Sequence, residues 1–88
     1  MEQKWQIEKI RDEAPYLLMI DETGIIDWIS NTIAEYGEDC RTVTFMRGVI
    51  EDCEDRCDKC MAEMSKDELL DVAARIMCMC ELEGEPHE

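Results

Sequence analysis

The chain has one histidine, His87, and it lies at the penultimate position of an 88-residue sequence. Catalysis that pairs an imidazole with a serine or cysteine therefore has no base on a regular element. Basic residues are also scarce: nine Lys and Arg stand against 23 Asp and Glu, for a formal net charge of −14. The nine cations, from Lys4 to Arg75, are scattered and form no basic stripe. Direct nucleic-acid binding is not expected, and an anionic membrane would repel the chain. Glycine occurs four times, with no glycine-rich loop ahead of a lysine to cradle phosphate. In Asp21-Glu-Thr-Gly24 the glycine falls at the wrong position for a calcium loop. The longest apolar run, residues 14–20, is seven residues, far below the ~20 that a membrane-spanning helix needs. These absences argue for a binding protein rather than an enzyme.

What is present suits one small domain over residues 1–88. Hydrophobic residues make up 45% of the chain and are finely mixed with charge, so a folded core is expected rather than disorder. A chain of this length buries little more than ~60% of its unfolded surface, so that core is thin. The opening residues, Met-Glu-Gln-Lys-Trp-Gln, are amphipathic rather than basic-then-apolar. No secretory leader is expected on that ground, and six cysteines without one read as reduced thiols in a cytoplasmic protein.

Periodicity predicts helices. Ile7, Ile10 and Ala14 keep helical spacing over residues 2–13, and Pro15 ends that helix. Ile25, Ile26, Ile29, Ile33 and Tyr36 form one stripe over residues 25–36, with Asp21 or Thr23 as its cap and Gly37 at its end. Trp28 lies off the stripe as a second contact surface. A long helix over residues 43–64, after Glu38 and Asp39, carries the seam Phe45, Val49, Cys53, Cys57, Cys60 and Met64. Gly48 within it suggests a close helix approach. Ser65 and Glu68 have capping-box spacing ahead of a last helix that buries Leu69, Leu70, Ala73, Ala74, Ile76, Met77 and Cys80. The expected fold is all-α, a compact four- or five-helix bundle whose last two helices form an antiparallel hairpin, with residues 83–88 a fraying tail.

Residues 16–20 admit a strand as well as a short helix. The stretch 16–29, Tyr-Leu-Leu-Met-Ile-Asp-Glu-Thr-Gly-Ile-Ile-Asp-Trp-Ile, resembles the opening strand pair of a PAS sensor domain. That resemblance implies a short β-hairpin near residues 16–29. It covers 14 of 88 residues, and the later strands of such a sheet have no counterpart.

Cys57-x2-Cys60 followed by Cys78-x-Cys80 approaches a four-cysteine zinc spacing, with Cys53 as a further ligand. A structural zinc protein is thus the alternative reading. If the last two helices are a hairpin turning near Met64, roughly ten residues of offset put the two pairs about 15 Å apart. A zinc ion needs its four sulfurs at about 2.3 Å, so hairpin and zinc exclude each other. The i, i+4, i+7 placement of Cys53, Cys57 and Cys60 favours burial in the seam, with no metal and no cofactor. Redox work by Cys57 and Cys60 is opposed by Glu54, Asp55 and Asp58 beside them.

The acids, in contrast to the cations, are grouped. Glu51, Asp52, Glu54, Asp55 and Asp58 share the solvent side of the long helix, and Asp67, Glu68 and Asp71 continue the face on the next. Such a surface fits a basic protein groove, such as that of a nuclease, in the manner of small phage or mobile-element anti-defence proteins that mimic nucleic acid. A helical self-assembly module, a homo-oligomer built through Trp28 and the methionines, is the remaining alternative.

Overall fold

Pro15 and two side-chain caps set the first element boundaries. The structure, a computed structural model, describes residues 4–36 and 41–83. Helix α1 (Lys4–Glu13) stops where Ala14, at φ −148°, ψ 62°, leaves the helical region ahead of Pro15. Pro15 then opens a 3-10 turn, Pro15–Leu18, as its first residue. The ring presets φ there, and its missing N–H would have had no helical partner. Helix α2 (Glu22–Ala34) begins at Asp21, whose carboxylate accepts the Gly24 N–H at 3.0 Å. Helix α3 (Arg41–Cys57) and a second 3-10 turn, Met61–Glu63, lead to helix α4 (Lys66–Glu83). At the start of α4 the Glu68 N–H donates to Ser65 Oγ at 3.3 Å, and the Ser65 N–H donates to Glu68 Oε1 at 2.9 Å. The predicted capping box is formed in both directions.

The described residues contain four α-helices and no strand, so the protein is all-α. The β-hairpin expected near residues 16–29 is replaced by the first 3-10 turn and the start of α2. The helical stripe decides this: Ile25 and Ile29 are fully buried and Ile26 packs against the same core, whereas in a strand the adjacent Ile25 and Ile26 would point to opposite faces. The resemblance to a PAS strand pair therefore does not extend to the structure of this stretch.

Helix α4 is the centre of the molecule and packs against α1, α2 and α3 alike. Leu69, Leu70, Val72, Ala73, Ala74, Ile76 and Met77 are all buried, so it is apolar on nearly every side in its middle turns. Val72, assigned to no buried side by the periodicity, is fully buried because α4 has neighbours on more than one side. Ile10, Leu17, Ile25, Ile29, Met46 and Cys53 complete the core from the surrounding elements. The radius of gyration, 12.3 Å, matches the ~12 Å expected of a compact chain of this length.

Helix α3 departs most from expectation. It ends at Cys57, not near Met64, because Asp58 takes up the left-handed conformation at φ 57°. The Lys59 N–H reaches back to the Glu54 carbonyl at 3.2 Å, the six-to-one bond of a Schellman ending. The buried side of α3 is also rotated from the predicted seam. Thr42, Val43, Met46 and Cys53 are buried, whereas Phe45 is 42% exposed. Cys57 is half-buried and Cys60, beyond the helix, is exposed. Gly48 has no atom within 4 Å of the position a Cβ would take, so no close helix approach occurs there. Trp28, expected as a contact surface, is half-buried against the core. Gly37, Glu38, Asp39, Cys40, His87 and the tail from residue 84 onward lie outside the described residues.

Candidate acidic docking surface

Three acids project from the outer side of α3 near its C-terminal end: Glu51, Asp52 and Asp55 are exposed. Glu51 and Asp55 are one helical turn apart, which puts such side chains about 5–6 Å from each other. The Schellman ending then turns the chain at Asp58, also exposed. The second 3-10 turn brings in Glu63, which the sequence pattern left within the long helix and did not single out. Glu54, Asp55, Asp58 and Glu63 surround Lys59 and Cys60 in one open hollow of about 320 Å³.

These carboxylates do different jobs. Glu54 Oε2 accepts the Met61 N–H at 2.9 Å and so holds the second 3-10 turn against the end of α3. Asp52 pairs with Arg56 at 3.1 Å, one turn along the same helix. Lys59 turns to Glu68 on α4, at 3.1 Å. Glu51, Asp55, Asp58 and Glu63 have no cationic partner among the described residues. The C-terminal end of a helix carries partial negative charge, so Asp55 and Asp58 stand where a carboxylate is locally unfavourable.

The acids on α4 have structural roles. Asp67 and Glu68 occupy its first turn, where the helix dipole favours them. Hydrogen bonding from the Ser65 backbone, then from Lys59, holds the Glu68 carboxyl below the usual glutamate range. Asp71, expected on the same outer face, is instead half-buried between α1 and α4. It accepts Gln6 Nε2 at 2.8 Å and Arg75 Nε at 3.0 Å. The Arg75 guanidinium lies 5.8 Å from the centre of the Trp5 ring. No local pattern announces this Trp5–Gln6–Asp71–Arg75 network, since 65 residues separate Gln6 from Asp71.

The cysteines proposed as zinc ligands are dispersed. Cys53 is in the core, Cys60 is in the acidic hollow, and Cys78 faces a cleft beside Trp5. Cys80 lies near Tyr36 at the end of α2. Among the described residues no three His, Cys, Asp or Glu side chains are placed to share a metal ion. Burial pushes the Cys53 and Cys80 thiols above their ordinary range, the opposite of what a reactive thiolate requires. No helix among the described residues is long and apolar enough to cross a membrane. No family model, curated protein or solved structure matches the chain.

Proposed function

We propose that the chain is a cytoplasmic protein-binding module, an inhibitor that seats an acidic face in the basic, nucleic-acid-binding groove of a partner enzyme. Glu51, Asp55, Asp58 and Glu63 form the centre of that face, with Asp52 and Asp67 beside them. It does not bind nucleic acid or membrane itself, and it carries no catalysis. The reading takes α3 and α4 as antiparallel neighbours, so that the end of one and the start of the other share a surface. Small anti-defence proteins of phage and mobile elements work by such mimicry.

One observation supports this above the others. Asp55, Asp58 and Glu63, without cationic partners among the described residues, gather around the end of α3 with Glu51 one turn before Asp55, while Arg56 and Lys59 beside them pair with Asp52 and Glu68 instead. Folding alone gives no reason for that placement. A basic groove supplies the missing counter-charge and attracts the face over a distance of about a Debye length, 8 Å at physiological salt.

The test is capture of partners from a host lysate on the immobilised chain, followed by elution with duplex DNA. A nucleic-acid enzyme should be captured, released by DNA, and missed by a variant carrying Glu51→Gln, Asp55→Asn, Asp58→Asn and Glu63→Gln. Glu54 is kept because it holds the Met61 N–H. Partners that ignore both DNA and the four substitutions would refute the reading.

A further inference from the structure

Two of the nine cations in this acidic chain, Arg56 on α3 and Arg75 on α4, line a single cleft. Trp5 of α1 forms another wall, Val49 and Met79 add apolar surface, and the space is about 240 Å³. Both guanidiniums are held in place yet incompletely used. Arg75 is fixed through Nε to Asp71 and lies over Trp5. Its two terminal nitrogens engage no partner among the described residues. Arg56 uses one terminal nitrogen for Asp52, at 3.1 Å, and for Cys53 Sγ, at 3.5 Å. Its remaining N–H groups are unengaged among the described residues.

We propose that this cleft binds a small aromatic monocarboxylate. A guanidinium fork matches the two oxygens of a carboxylate, and a flat apolar body can extend the stack already begun by Arg75 on Trp5. The space is smaller than the ~300–1,000 Å³ of pockets for drug-sized ligands, which limits the body to about one ring. The net charge of −14 and the Asp52 carboxylate in the lining oppose anions in proportion to their charge, so a single negative charge on the two guanidiniums is tolerated where a phosphate or polyanion is not. The site is independent of the docking face and shares only Asp52 with it.

The experiment is a titration of the full chain with benzoate, and separately with benzamide, followed by amide and indole N–H spectra. A ligand of this size binds in the millimolar range at ordinary efficiency per atom. Benzoate should move the Trp5 indole resonance and leave that of Trp28, which does not line the cleft, in place. Benzamide has the same shape without the charge and should need at least about tenfold more. Arg56→Gln should raise the half-saturation concentration of benzoate about fivefold or more with the spectrum still dispersed. Should that variant lose its dispersion, Arg56→Lys, which keeps the charge but loses the fork, should also weaken binding. Equal titration by benzoate and benzamide, an unmoved Trp5 indole at about 20 mM benzoate, or parental binding by the variant would overturn the proposal.

Discussion

Helices α3 and α4 are neighbours in sequence, pack against each other, and have 17 and 18 residues. Helix α4 is enclosed by three other helices, starts in a two-way capping box, carries Asp67 and Glu68 where its dipole favours them, and has Glu81 of its last turn paired with Lys9. Helix α3 has one buried side, an exposed phenylalanine, a glycine facing open space, and acids at the end where the dipole opposes them. The difference separates what holds this protein together from what is available to a partner. Stability is concentrated in α4, whereas α3 keeps local features that are unfavourable for a helix.

The largest expected effect tests that contrast directly. Ile76→Ala removes a fully buried side chain from α4 and should destabilise by about 2–5 kcal/mol, a large part of a small domain's total. Phe45→Ala removes a bigger side chain from α3, but one that is 42% exposed, and should cost less than about 1 kcal/mol. Urea unfolding followed by circular dichroism measures both. If the two variants lose similar stability, Phe45 belongs to the core and the rotation of α3 described above is wrong.

A smaller effect belongs to the junction between the helices. Ser65→Ala removes one half of the capping box and should cost about 1 kcal/mol. The same junction gives stability an acid limb. The Glu68 carboxyl is lowered by its hydrogen bonds to the Ser65 backbone and Lys59. A carboxylate lowered in the folded state contributes fully above its unfolded pKa of about 4.3 and loses that contribution as pH falls through the folded value. Stability should therefore fall below about pH 4, and less steeply in Glu68→Gln. An identical acid limb in that variant would assign the loss to other carboxylates.

What could be read from the sequence follows the range of each interaction. Pro15 and the Ser65–Glu68 box act within four residues, so their spacing was sufficient, whereas for the start of α2 it left Asp21 and Thr23 as alternatives and the structure has Asp21. The α2 stripe was legible because α2 buries a single side. Helix α4 was less so: periodicity assumes one buried face, and Val72 was missed because three helices pack there. On α3 the rotation was hidden by apolar residues at Val43, Phe45, Met46, Val49 and Ile50, which allow two neighbouring stripes. Asp71 was assigned to solvent because its partner Gln6 lies at the far end of the chain. The acidic grouping was visible on α3, but only the turn at Asp58 brings Glu63 into it.

The smallest expected effects concern that turn, and their signs carry the information. Gly48→Ala should stabilise by about 0.5–1 kcal/mol, since alanine favours the helix and the site has no neighbour within 4 Å. Asp58→Gly should also stabilise, by up to about 1 kcal/mol, because glycine adopts the left-handed conformation without the clash of a Cβ. It also removes a carboxylate from the negative end of the helix. If α3 instead continued through residue 58 toward Met64, as the apolar spacing suggests, the same substitution would put glycine inside a helix. It would then destabilise by about 1 kcal/mol. Thermal melts of the two single variants and their combination decide between these geometries. Two increases that add indicate independent sites, one within the helix and one just past its end. An increase at Gly48 with a decrease at Asp58 would extend α3 beyond Cys57 and remove the bend that gathers Asp58 and Glu63 into one acidic surface.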